Sequence, residues 1–193
     1  SWIQGNATSL LPAATLLRLH TFHLIKQGLF AQSLWACKRP SMKVPAAGQQ
    51  PARILLAGEA PGAEEEKHLR PFIGSSGIEL TKMLNEAGIL RTECRVTNVC
   101  KYRPPGNKLD LWIPEKKKDI RQGFISIYGK FVDPRVAEGI EELKTEILAT
   151  NPNVIIPLGN TPLWALAGET GITKWRGSFL SSRPEFGSRT VVP

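Results

Sequence analysis

Residues 54–62 read Ile54-Leu55-Leu56-Ala57-Gly58-Glu59-Ala60-Pro61-Gly62. Four apolar residues closed by a glycine predict a short strand buried on both faces, and the Gly- and Pro-containing turn behind it lets the backbone approach a ligand closely. Working outward from this stretch, Val96-Thr97-Asn98-Val99 predicts a second strand, 154–158 a third and 190–192 a fourth. Helical patterning covers 77–87, stopped by Gly88, then 137–148 and 161–167. Strands alternating with helices predict an α/β fold: a three-layer α/β/α sandwich on a central four-stranded, mostly parallel sheet. Ligands of such sheets lie outside the carboxyl ends of the strands, so function is expected in the loops after Ala57, Val99 and Leu158.

The 193 residues carry 25 Lys+Arg against 17 Asp+Glu, a net charge of +8, with 41% hydrophobic residues. That balance suits one folded basic domain and argues against a disordered tail or a multi-span membrane protein. No run approaches the ~20 apolar residues of a membrane helix, so no membrane partner is expected. The positive surplus points to a polyanion, of which nucleic acid is the commonest inside a cell. Cys37, Cys94 and Cys100 form neither a disulfide framework nor a CxxC pair, which suggests a reduced, intracellular chain without a four-thiolate site. His20 and His23 share an i, i+3 face but have no third ligand nearby, and no metal site is predicted.

No acidic residue precedes Glu59. Residues 1–52 therefore read as a basic helical N-terminal extension that loosens into a Pro/Gly/Gln stretch, and 53–193 as the main domain. An acid-free amphipathic start also fits an organelle transit peptide, although Ser1 opens the chain and no cleavage site is evident. At about 108–134 lies an aperiodic segment with Trp112 and the triplet Lys116, Lys117 and Lys118, expected to be an exposed insertion.

Beyond these patterns, Gly58-Glu59-Ala60-Pro61-Gly62, the acidic run to Glu66, and Arg70-Pro71-Phe72-Ile73-Gly74 leading into Ser75-Ser76-Gly77 resemble the first motif of the family-four uracil-DNA glycosylases. Thr97-Asn98-Val99, Lys101, Arg103-Pro104-Pro105-Gly106-Asn107, the strand at 153–159 and Trp175-Arg176-Gly177 are similar to later blocks in the same order, so the likeness spans roughly residues 34–193. It implies a DNA-binding enzyme of base-excision repair that flips uracil from the stack and hydrolyses its N-glycosidic bond. By the same resemblance Phe72 is the stacking aromatic, Asn98 reads the base edge beside Ala60, Glu59 positions the attacking water, and Glu65, grouped with it as catalytic, is a second acidic residue that helps shape this loop. Chemically this is sensible: a carboxamide offers both a donor and an acceptor, and a carboxylate steadies positive charge on the sugar. Ser75, Ser76, Gly159 and Asn160 at helix starts, with Lys101, Arg103 and Arg176, are expected to meet DNA phosphates. Each has a plainer reading: Phe72 as core, Asn98 as a turn residue, the serines as N-caps, the lysine triplet as a solvated face.

Three features depart from that family. Its members hold an iron-sulfur cluster on four cysteines, whereas here Cys37 alone precedes the first strand, Tyr102 stands at a cluster position and no cysteine follows Cys100; neither a cluster nor another cofactor is expected. The family follows its last strand with a His-Pro motif whose histidine stabilises the departing uracil, a donor worth ~2.7–4 kcal/mol by analogy with oxyanion holes. The present sequence stops at Val191-Val192-Pro193, where that motif is expected to begin, so the domain reads as C-terminally incomplete. The insertion exceeds the family's loop, and glycosylase-like domains associated with phage DNA polymerases share such an architecture. The expected partners are therefore uracil-containing DNA and a DNA polymerase or other replication protein. A non-catalytic glycosylase-like DNA-binding or polymerase-accessory module is the alternative function. An unrelated nucleotide-binding α/β protein is disfavoured, because neither GxxxxGK[ST] nor GxGxxG occurs.

Overall fold

A computed structural model describes residues 41–193. The helical reading of residues 1–40, with His20, His23 and Cys37, lies outside the described residues. In chain order the elements are β1 (Ala47–Gly48), β2 (Ile54–Gly58), α1 (Ala63–His68), α2 (Ser75–Glu86), β3 (Cys94–Asn98), the hairpin β4 (Ile125–Ile127) and β5 (Lys130–Val132), α3 (Pro134–Thr150), β6 (Val154–Pro157), α4 (Asn160–Ala167), α5 (Ile172–Trp175), β7 (Leu180–Ser181) and β8 (Thr190–Val191), with 3-10 turns between some of them.

The central sheet runs β1-β3-β2-β6-β8-β7 and has six strands, not the four predicted. Its four inner strands are the predicted ones and are mutually parallel, while β1 and β7 add antiparallel edges. Two-residue strands have no alternation to read, which is why the edges escape a sequence pattern. Strand β1 also moves the boundary drawn at residue 53. Val44 and Ala52 are buried, and Val44 N–H donates to the Lys101 carbonyl at 2.8 Å, so residues 44–52 belong to the main fold.

Alternation along each inner strand feeds two cores. Leu55, Ala57, Ile155 and Val191 face Val136, Ile140, Leu143 and Ile147 of α3 and Trp164 to Leu166 of α4. Leu56, Cys94 and Val96 face Leu80 and Leu84 of α2 on the other side. These are the three predicted layers, and the apolar runs on both faces are their cause. Helix α3 begins earlier than its periodicity suggests because Pro134 takes the first position and Asp133 caps it, accepting the Arg135 N–H at 3.0 Å.

The segment 108–134 is exposed over much of its length, including 115–119 and 121–123, but it is anchored in the core. Trp112, Ile113 and Val132 are buried in the larger core, Arg135 stacks on Trp112 at 4.1 Å, and Trp164 Nε1 donates to the Tyr128 carbonyl at the hairpin tip. Lys108 and 116–118 face solvent, while Lys130 lies over the Trp164 ring at 5.0 Å. No helix among the described residues is long and apolar enough to cross a membrane.

Candidate functional site

From β2 the chain moves to β3 on one side and later to β6 on the other, so β2 marks the point where strand order reverses and a crevice opens at the carboxyl ends. A cleft of about 340 Å³ lies there, lined by Glu59, Ala60, Phe72, Ser75, Asn98 and Asn107 among others. Gly58, the last residue of β2, lies directly behind two of the lining side chains. A Cβ at this position would lie 2.3 Å from Phe72 Cζ and 2.4 Å from Asn98 Oδ1, so an aromatic ring and a carboxamide converge on one spot where only a glycine fits. Asn98 ends β3 and is 4% exposed, yet among the described residues its carboxamide has no hydrogen-bond partner and lines the cleft.

Glu59 is held from across the crevice. Its Oε1 accepts the Thr161 N–H at 3.0 Å in the first turn of α4, where unpaired amides and the helix dipole favour an anion. Gly159, at φ 127°, brings the backbone so near that a Cβ there would sit 2.6 Å from Glu59 Oε1. One oxygen is thus anchored while the carboxylate still borders the cleft.

Glu65, expected with Glu59 in the catalytic loop and as a residue that shapes it, is turned to the loop backbone. Buried at 6% exposure, it accepts from Gly62 N–H through Oε2 at 3.1 Å and from Ile73 and Gly74 N–H through Oε1 at 3.1 and 2.8 Å. With its lone pairs turned to backbone, it is the clamp that joins the 58–62 turn to the 70–74 loop. Burial pushes its carboxyl up, but the backbone donors, Gly74 foremost, outweigh this and hold it below the ordinary value of 4.5. The associated stability is complete above about pH 4.5 and is lost as pH falls through the depressed folded value. Glu65→Gln is expected to cost about 1–3 kcal/mol, since an amide NH₂ cannot accept and leaves a buried backbone donor unpaired. Urea unfolding at pH 7 and pH 4 checks this: the deficit should shrink at the lower pH.

Lys101 is corrected as well. Predicted at a phosphate, it is 1% exposed, and its ammonium donates to Thr97 Oγ1 at 2.6 Å and Glu146 Oε2 at 2.7 Å beneath α3. The residues after β3 turn inward here because the β2–β3 ladder continues past the strand end, through Val99 N–H to Gly58 O and Cys100 N–H to Glu59 O. Arg103, half-buried, is engaged by Glu66 at 3.4 Å and by Asn107 Oδ1 at 2.8 Å, which ties the 104–107 loop to α1. Asn160 uses its Oδ1 on the Gly171 and Ile172 N–H groups. Ser75 and Ser76 are exposed at the start of α2 on the cleft rim, and Arg176 is exposed away from the cleft lining. Structure thus brings Glu59, Ala60, Glu65, Phe72, Asn98, Ser75 and Ser76 together. Lys101, Arg103, Gly159, Asn160 and Arg176 do not line that cleft.

Sequence reasoning passed over Gly58 as the packing partner of Phe72 and Asn98, Asn107 as a cleft residue and Arg91 altogether. Gly58 could have been found from its place between a buried strand and Glu59; nothing local marks Arg91.

The described cysteines do not fit a thiolate cluster. Cys94 and Cys100 are fully buried near opposite ends of β3, and their Sγ atoms donate to the carbonyls of Leu90 and Tyr102. Burial pushes the Cys100 thiol up to about 11, far from the thiolate a metal requires. Tyr102, at the expected cluster position, has its hydroxyl on Glu138 at 3.3 Å. Among the described residues no three His, Cys, Asp or Glu side chains are grouped for a metal.

The sequence model of the uracil DNA glycosylase superfamily matches residues 45–191, from β1 to β8. The chain belongs to that superfamily. A type-4 uracil-DNA glycosylase of Thermotoga maritima is 34% identical over 148 residues, which cover 76% of this chain and 65% of that protein. The type-4 enzyme of Sulfurisphaera tokodaii is 47% identical over 66 residues, 34% of this chain and 30% of its own. A DNA polymerase of Bacillus phage SP01 is 30% identical over 131 residues, 67% of this chain and 12% of the polymerase. The chain therefore spans about two thirds or less of the superfamily relatives it matches.

Proposed function

We propose that this superfamily member binds DNA and takes up a flipped uracil in the cleft above Gly58, hydrolysing its N-glycosidic bond. One observation carries the reading: the Phe72 ring edge and the Asn98 carboxamide meet over Gly58 in the same cleft that Glu59 borders. A planar base would stack on the ring while the carboxamide reads its edge, offering an acceptor to N3–H and a donor to O4, a pattern cytosine cannot match. As positive charge develops on the sugar, the anchored Glu59 carboxylate orients water and opposes that charge without having to reorganise. The exposed hydroxyls of Ser75 and Ser76 would donate hydrogen bonds to phosphate oxygens, and the exposed Lys108 and 116–118 would neutralise phosphates, giving salt-dependent affinity. DNA as substrate implies an intracellular site.

A labelled oligonucleotide carrying one uracil, scored for alkali-labile abasic sites, tests the proposal. Release is expected with uracil and not with thymine, and Asn98→Ala should lower it at least tenfold, the equivalent of one or two buried hydrogen bonds. The phage polymerase similarity favours a second reading, an accessory module that works with a polymerase. Uracil-selective binding without release would support that module over the enzyme.

No redox cofactor takes part in this chemistry. Purified protein is expected to contain well under one iron per chain and to lack absorbance near 400 nm; stoichiometric iron would overturn this.

A further inference from the structure

Phe72 does not hold its place by local preference. Its φ is 54°, a region that bulky side chains normally avoid, so the surrounding structure must impose it. Part of that imposition is contact with α2: Gly77 presses on the loop so tightly that a Cβ there would lie 1.8 Å from the Phe72 carbonyl oxygen. Such an approach crowds the carbonyls of Pro71, Phe72 and Gly77 together, three acceptors that repel unless a donor stands among them.

The donor comes from another element. Arg91 opens the 3-10 turn Arg91–Glu93 ahead of β3, and its guanidinium reaches back to the loop. One terminal nitrogen donates to Phe72 O at 2.6 Å and Pro71 O at 3.1 Å; the other donates to Gly77 O at 3.0 Å and Thr81 Oγ1 at 2.8 Å. Thr81 Oγ1 in turn donates to Gly77 O at 2.8 Å. The two nitrogens of a planar fork thus bridge the loop to the first turns of α2, a geometry that the single nitrogen of a lysine cannot copy. Arg91 does not line the cleft, so any effect it has on a ligand must pass through Phe72.

We propose that Arg91 is a positioning residue for base recognition: its guanidinium locks the Phe72 backbone in the left-handed conformation and so sets the ring over Gly58. As a role in uracil recognition this rests on the function proposed above; as a statement about the ring it stands alone.

The test uses the full chain labelled with 4-fluorophenylalanine, the Phe72 resonance being assigned by Phe72→Leu. In Arg91→Ala the Phe72 resonance is expected to shift or broaden while the others hold. Affinity for a single-stranded oligonucleotide with one uracil should fall roughly tenfold or more, toward that of the matched thymine oligonucleotide, whose own affinity stays constant. Arg91→Lys, a milder change should the alanine variant fold poorly, is expected to recover only part of the preference. Placed in a Phe72→Ala background, Arg91→Ala should cost less than twofold. An unmoved Phe72 resonance, an equal fall for both oligonucleotides, or a retained uracil preference in Arg91→Ala overturns the proposal. If the unsubstituted chain does not distinguish uracil from thymine, the functional reading fails, and the fluorine spectrum alone decides whether Arg91 sets the ring.

Discussion

Gly58→Ala is expected to remove uracil selectivity, lowering release or binding of a uracil oligonucleotide by about 100-fold or more, while the protein stays folded. The added methyl would stand 2.3 Å from Phe72 Cζ and 2.4 Å from Asn98 Oδ1, both impossible distances. Each obstacle is the far end of a side chain, so relief comes from swinging the ring and the carboxamide aside, and the β2 backbone is spared. Displacements near 1 Å at a recognition site cost about two orders of magnitude. Overpacking of this kind costs stability by ~1–3 kcal/mol, and a domain of this size tolerates that loss. Urea unfolding beside the oligonucleotide assay separates the two effects. Near-parental selectivity in the alanine variant would show that base recognition lies elsewhere.

Lys101→Met is expected to lower stability by about 3–5 kcal/mol and to leave the salt dependence of DNA binding unchanged. Burial drags the ammonium below the usual lysine range, against the upward pull of Glu146. The ion pair at 2.7 Å and the Thr97 hydroxyl at 2.6 Å compensate that burial. Removing the cation leaves the mostly buried Glu146 carboxylate with the Thr97 hydroxyl, at 2.7 Å, and no counter-charge at that oxygen. At ~2–4 °C per kcal/mol for 150–250 residues, the melting temperature should fall by roughly 6–20 °C. Replacing both partners, as in Lys101→Met with Glu146→Leu, should regain most of the loss, because an uncharged pair of similar volume has no desolvation penalty. A phosphate ligand would behave otherwise: the salt slope would shrink by about one and stability would hold.

The contrast between these residues shows where sequence reading succeeds. Lys101 and Lys108 look alike in a basic stretch, yet one is core and the other solvent, because burial depends on where the chain turns after β3. Glu59 and Glu65 look alike in an acidic loop, yet one borders the cleft with an anchored oxygen and the other is consumed by three backbone amides. Trp112 sits among charges in the sequence and under Arg135 in the core.

By itself the sequence determined the layered α/β architecture, the four parallel strands, the strand ends that carry the site, and the superfamily through its ordered motifs. These follow from short apolar runs, helix stops, glycine turns and the order of the motifs, all properties that a string of residues contains. Only the tertiary structure decided the edge strands, the buried ion pair, the packing of Phe72 and Asn98 on Gly58, and the guanidinium bridge from Arg91. Each joins residues from separate elements, 14 to 49 positions apart among the bonded pairs of Arg91 with Gly77 and of Thr97 with Glu146. Distances of that kind are set by how the layers pack, and no local preference encodes them.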